Sequence, residues 1–223
     1  MSKDIVRQSD FGKDISLVHE MIVTGRKVGA GSDFYAVLAH DEGLFHRVME
    51  MVKNDPLLAA MRALQAAVEK GVQCENGVYR FFDPGISLVA LRDLSLVRQK
   101  KLVYCQDWYE PYDWARREDA PQERNLRIPV EGSFNKTFPD QKKLLLPEEE
   151  VPSTHSVATF LVINALATGK RLLPDCYVRC IDKDLVGDRV CVGRFCAAGV
   201  FVDLYWSDEC CHDIGLAAAP RKV

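Results

Sequence analysis

The sequence predicts an α+β protein in which a helical N-terminal part precedes a domain built on a small, mostly antiparallel sheet. Three observations predict it. Phe34, Val37 and Leu38, and then Leu44, Val48, Met51 and Val52, recur at spacings of three and four within each group, the period of one helix face. The segment "STHSVATFLVINALATG" (153–169) is apolar nearly all round, the pattern of a helix buried on more than one side. Near the C-terminus "GVFVDLYW" alternates residue by residue, the period of a strand.

Residues 1–31 are polar and end in the glycine-rich "GRKVGAGS", with helical patterning from Ser32 onward. The best-marked helix lies in "NDPLLAAMRALQAAVEKGV". Asp55 can accept its orphan N–H groups, Pro56 is preset for the first helical position, and Gly71 can take the left-handed stop. Its apolar stripe is Leu57, Leu58, Met61, Leu64 and Val68, so the first third reads as a helical hairpin.

"VQCENGVYRFF" reads as a β-hairpin, because Asn76-Gly77 accepts the positive φ angles of a type I′ turn. The helical pattern stops near residue 95, which divides the chain into 1–95 and 96–223. "DWYEPYDW" (107–114) reads as an aromatic cluster at a core edge, since Trp and Tyr bury their rings and keep a polar tip wet, with a carbohydrate-binding platform as the alternative. Two helices follow, one capped by Thr137 through "FPDQKKLLL", the other capped by Ser153 and stopped by Gly169. Strands come last, in "CYVRCI", "DRVCVGRF" and "GVFVDLYW". In the final strand Val200, Val202, Leu204 and Trp206 share the face expected in the core, with Trp206 closing the row. Phe201, Asp203, Tyr205 and Ser207 share the face expected in water.

With 29 basic against 32 acidic residues and a net charge of -3, the chain offers no excess positive field for a phosphate backbone, so nucleic acid is not an expected partner. No stretch reaches the roughly 18 to 20 apolar residues of a membrane span. The N-terminal residues lack the apolar core of a signal peptide, so a reducing, cytoplasmic setting is the default expectation, and structural disulfides are disfavoured there.

Of the eight cysteines, Cys176, Cys180, Cys191, Cys196, Cys210 and Cys211 crowd the C-terminal part. A structural zinc site could draw on Cys176, Cys180, Cys210, Cys211 or His212. Cys176 and Cys180, however, would stand about 13 Å apart on one strand at about 3.3 Å per residue. A thiol enzyme needs a base facing its cysteine, and the adjacency of Cys211 and His212 does not make their side chains face each other. His40 and His46 fall in a helix and His155 at a helix start, places typical of surface or capping residues. Buried free cysteines acting as small apolar side chains are the plain alternative. No metal or cofactor is expected.

The ending "WSDECCHDIGLAAAPRK" is similar to the closing segment of C-type-lectin-like domains of the formylglycine-generating-enzyme type, in which a Trp and polar residues precede an Ile-Gly strand. It resembles still more the variable regions of proteins targeted by diversity-generating retroelements. There, adenine mutagenesis of pyrimidine-ended Asn codons yields codons for Cys, Phe, Tyr, Ser, Asp, His, Leu, Arg and others, but not Lys, Gln, Glu, Met or Trp. From Cys191 to His212 only Trp206 and Glu209 fall outside the accessible set. Gly193, Gly199, Val200, Val202, Trp206, Asp208, Asp213, Ile214 and Gly215 look like scaffold, with the odd residues between them.

The resemblance covers about the last 35 residues and implies a C-type-lectin-like domain over 96–223 with a variable region at 189–213. It implies a non-enzymatic binding protein whose ligand is a macromolecule, protein or carbohydrate. The implied binding residues are Cys191, Arg194, Cys196, Phe201, Asp203, Leu204, Tyr205, Ser207, Cys210, Cys211 and His212. Leu204 belongs only if a bulge or the strand end turns it outward. "IGLAAA" replaces the usual Ile-Gly-Phe-Arg pattern, and no catalytic cysteine motif of the formylglycine-generating enzymes is present, so that activity is not implied. A cysteine- or zinc-dependent protein using the cluster from Cys176 to His212 is the alternative reading.

Overall fold

A computed structural model describes residues 22–27 and 29–221. Most of the polar stretch 1–31, and the last two residues, therefore lie outside the described part. The chain forms two compact units, Met1–Asp55 and Pro56–Val223. The architecture is mixed α+β, a helical N-terminal region followed by small, mostly antiparallel sheets. The division between units falls at Asp55/Pro56, upstream of the change of pattern near residue 95, because the helix after Pro56 shares its core with the C-terminal sheets.

In the first unit residues 22–27 are helical, followed by α1 (Ser32–His40) and α2 (Glu42–Lys53). One continuous apolar pattern is thus broken into two helices at Asp41. That residue adopts extended backbone, and its side chain accepts the Leu44 N–H at 2.8 Å, capping α2. Neither helix contains a buried residue, and Phe34, Val37, Phe45, Met51 and Val52 are exposed.

The second unit opens with α3 (Pro56–Lys70), which ends where Gly71 takes φ +76°. Leu64 and Ala67 are its buried residues, with Met61 and Val68 packed beside them. Leu57, expected in the stripe, is exposed because it sits in the first turn. β1 (Val72–Glu75) and β2 (Val78–Asp83) form the expected hairpin, with positive φ at both Asn76 and Gly77. Short helices α4 (Leu88–Asp93), α5 (Ser95–Gln99) and α6 (Asp113–Arg116) follow. β3 (Gln122–Arg127), a strand the sequence pattern did not reveal, then completes a β1-β2-β3 sheet.

α7 (Phe138–Lys142) is capped by Thr137, whose hydroxyl accepts the Asp140 N–H at 3.3 Å. β4 (Glu149–Glu150) pairs with β9 (Ala219–Pro220). Between them run α8 (Thr154–Thr168), β5 (Tyr177–Lys183), β6 (Arg189–Cys196), β7 (Gly199–Tyr205) and β8 (Ile214–Leu216). The four-stranded sheet has the order β7-β6-β5-β8, antiparallel except for the β5-β8 pair.

α8 is the spine of this unit. Every residue from Thr154 to Asn164 is buried, as an all-apolar helix requires, because it contacts β1 and β2 on one side and β5 and β6 on another. Phe160 meets Tyr79 at 5.0 Å and Phe81 at 5.3 Å between ring centroids. Gly169 ends the helix at φ +74°. Ser153 occupies the N-cap position, but its hydroxyl makes no capping bond and turns to the ring of His155 instead. His155 is fully buried, which corrects its reading as a surface or capping residue.

Candidate ligand-binding face

Side chains alternate across a strand, so β5, β6 and β7 sort theirs onto two faces. Val178, Cys180, Val190, Val192, Val200 and Val202 point inward and join the main core with α8. Tyr177, Arg179, Cys191, Phe201, Asp203 and Tyr205 take the opposite face. The register sets Arg179, Cys191 and Asp203 in one row across the three strands, and Tyr177, Gly193 and Phe201 in the next.

A bulge between Gly193 and Cys196 interrupts β6. Arg194 sits there at φ +45° and is exposed. Regular alternation would turn it toward the core with Val192. The extra residue re-aims it, and its guanidinium lies 5.9 Å from the centre of the Tyr177 ring on the outer face. Gly193 permits the approach of the two strands, since a Cβ there would stand 2.1 Å from the Cys176 carbonyl oxygen.

The open edge of β7 is covered by a segment outside the last 35 residues. Val103 bridges Val200 in parallel, the Tyr104 N–H donates to the Val200 carbonyl at 3.0 Å, and the Val200 N–H donates to that of Leu102 at 2.9 Å. Gly199, at φ +121°, makes this possible, because a Cβ would stand 2.5 Å from the Tyr104 nitrogen. Tyr104 is thereby stacked on Phe201, with centroids 4.3 Å apart and planes 19° from parallel. Tyr177 and Tyr205 lie 5.7 Å apart on the same face. The Trp108 indole donates to the Val202 carbonyl at 3.3 Å, and its ring packs with Tyr109, Tyr112 and Trp114 at the edge of the main core.

The loop 206–213 is held by its backbone. Arg179, completely buried, donates from Nη2 to the carbonyls of Trp206 at 3.2 Å and Glu209 at 2.8 Å. From Nη1 it donates to the Lys136 carbonyl at 3.2 Å and to Gln141 Oε1 at 2.9 Å. The Asn135 N–H donates to the Cys211 carbonyl at 2.9 Å, the Phe138 N–H to that of Ser207 at 2.7 Å, and the Tyr177 N–H to that of Asp213 at 2.8 Å. Trp206, Asp208, Glu209, Cys210 and His212 meanwhile extend into solvent. Backbone fixed from beneath and side chains free above is the arrangement in which a scaffolded loop can vary without unfolding.

Electrostatics follow from partial burial. Burial, and next the Asp203 carboxylate, push the Tyr177 phenol up to about 12, opposed by Arg194. Tyr205 is raised by burial and then by Asp203. Burial also raises the thiols of Cys176, Cys180, Cys191 and Cys211, which keeps them as neutral thiols at pH 7, the opposite of what a nucleophilic cysteine needs. All eight cysteines are free.

The predicted residues separate into four groups. Arg194, Cys196, Cys210 and His212 are exposed, and Phe201, Asp203, Tyr205, Ser207 and Cys211 are half-buried on the outer face or its loop. Cys191 faces the same way but is wholly covered, packed with Tyr177 and Ile214 beneath Phe201, Tyr205 and Cys211, so it is floor instead of contact surface. Leu204 packs against the main core, as alternation demands, and does not join the face. Trp206 corrects the expected inward row. The strand ends at Tyr205, and the indole, free of alternation, is 64% exposed.

Tyr104, Tyr177 and Arg179 belong to this region and were not singled out. The glycine at 199 was the available signal for Tyr104, since a strand glycine marks a close backbone approach. Among the described residues no group of three or more His, Cys, Asp or Glu side chains is placed to hold a metal ion, and no helix is long and apolar enough to cross a membrane. No family model matches the chain, and no curated protein or solved structure matches it significantly.

Proposed function

We propose that the outer face of the four-stranded sheet and the loop 206–213 form a diversified recognition surface for a macromolecular ligand, protein or carbohydrate. Support comes first from the loop: five backbone hydrogen bonds from Arg179, Asn135, Phe138 and Tyr177 fix 206–213 while Trp206, Cys210 and His212 stay exposed. The likeness of the closing segment to retroelement variable regions explains why chemically unrelated side chains occupy such a surface.

Within it, Phe201, stacked on Tyr104, and Tyr205, seated against the buried Tyr177, are the anchors, because an aromatic side chain presents large contact area with little side-chain entropy to lose. Arg194 and Asp203 supply charges of opposite sign for orientation. The exposed cysteines carry no shared chemical task in this reading. In the same reading the domain is C-type-lectin-like and has no formylglycine-generating activity. Sequencing the flanking genomic DNA tests it. A reverse-transcriptase gene and a near-copy of the codons for 189–223, with adenines at codons 194, 196, 201, 203, 205 and 210–212, is the expected result. Flanking DNA without either contradicts the proposal.

A further inference from the structure

The first unit is assembled without a core. Among its described residues, 22–27 and 29–55, none is buried, although α1 and α2 carry Phe34, Val37, Phe45, Met49, Met51 and Val52, all exposed. Helices of nine and twelve residues are marginal in water by themselves. Packing that buries no side chain does not offset the entropy of ordering them, so the unit is short of a partner.

Along α2 the exposed apolar residues form a stripe. Phe45, Met49 and Val52 follow one another at helical spacing, and Phe45 also lines a groove of about 610 Å³ with Ile22, Tyr35, Leu38 and Ala39. At about 3.6 residues per turn, Glu42 and Lys53 flank the stripe on the same side, at opposite ends of the helix. Within the chain their partners are local and exposed. Glu42 is 3.7 Å from His46 and Lys53 is 2.8 Å from Glu50, pairs of little energy.

We infer that this stripe is the contact between two copies of the chain, with α2 lying antiparallel against α2 of the second copy about a two-fold axis near Met49. Such pairing sets Phe45 against Val52 of the second copy and brings Glu42 within reach of Lys53 of the second copy, and the isologous contact makes each of these twice. It also opposes the two helix dipoles. A parallel arrangement would place Glu42 beside Glu42 and Lys53 beside Lys53. Residues 22–55 include four basic and five acidic residues. No large net charge therefore holds two copies apart, and no cationic excess draws the unit to an anionic lipid surface.

The test uses the full chain in sedimentation equilibrium at low salt, over a range of concentrations. The expected result is a concentration-dependent species of twice the 25.1 kDa of one chain. Phe45→Glu combined with Met49→Glu is expected to give a monomer whose C-terminal unit still unfolds cooperatively, because both positions are exposed in the single chain. Glu42→Lys and Lys53→Glu, each alone, set like charges against each other and are expected to weaken pairing about tenfold. An equimolar mixture of these two variants is expected to pair as well as the unmutated chain, since each then meets the opposite charge. That recovery separates an antiparallel contact from one that only buries apolar surface. A chain that is monomeric at every concentration, as it is if the stripe is covered within the chain or by a different protein, overturns the inference. So does a dimer that survives Phe45→Glu with Met49→Glu, or a pair of charge variants that does not recover on mixing.

Discussion

The two faces of the β7-β6-β5-β8 sheet are made from neighbouring residues of the same strands, yet they obey different rules. The inner face is aliphatic, Val178, Val190, Val192, Val200 and Val202, closed against α8 without an exposed member. The outer face mixes Tyr177, Arg179, Cys191, Phe201, Asp203 and Tyr205, and is only partly covered. The inner face is held by packing, which any change of volume disturbs. The outer one is held by a buried guanidinium and a set of backbone hydrogen bonds, which make no demand on the side chains above them. A surface whose order comes from main-chain contacts to a buried neighbour places little demand on the chemistry of its own exposed side chains.

The largest loss is expected inside. Phe160→Ala, which empties the space between Tyr79 and Phe81, should cost about 3–5 kcal/mol in denaturant unfolding. Arg179→Met comes next. It keeps the apolar stem but leaves Gln141 Oε1, which is buried, and the part-buried Lys136, Trp206 and Glu209 carbonyls without their donor, a cost of about 3 kcal/mol, at about 1–3 kcal/mol for a fully buried stranded group and less for a carbonyl that water can reach. Hydrogen exchange should show 206–211 opening in this variant ahead of the rest of the sheet. Equal loss from an outer contact residue such as Tyr205 would erase the distinction between the faces.

A pH titration sharpens the comparison from the other side of the core. His155 is buried with its proton affinity lowered chiefly by desolvation. A base whose folded value lies below its unfolded one contributes stability that is complete above the unfolded value of about 6.5 and is lost as pH falls toward the folded one. Thermal unfolding should accordingly weaken from pH 7.5 to pH 5, and His155→Gln should flatten the dependence across that window. A slope unchanged by this substitution would assign the effect to other groups.

Outer-face changes are expected to be smallest. Trp206→Ala should fall within about 0.5 kcal/mol, as exposed positions do.

That last expectation reverses what the sequence pattern alone suggests, and the reason is local. Alternation correctly sorted Val200, Val202 and Leu204 from Phe201, Asp203 and Tyr205, but it holds only while the strand lasts, and the strand stops before Trp206. The helix 154–168, the Asn76-Gly77 hairpin and the three late strands were readable because period, cap and turn residues agreed there. β3 was not, since "QERNLR" carries no apolar alternation and is a strand only because β2 offers it a partner. Arg179 and Tyr104 were invisible for a similar cause. Their roles depend on which distant segments arrive at them, the 136–141 and 206–209 segments at Arg179 and the bare Cα of Gly199 at Tyr104.

The most direct test of the central claim replaces the exposed set Cys196, Trp206, Cys210 and His212 together, by Ser, Ala, Ser and Ala, and compares the thermal unfolding of that variant with Arg179→Met. At about 2–4 °C per kcal/mol for a domain of this size, the account predicts a fall of about 6 °C or more for Arg179→Met. It predicts a smaller fall for the four exposed changes combined. A quadruple variant less stable than Arg179→Met would show that the surface side chains hold the fold, and would contradict a scaffold that stands independently of them.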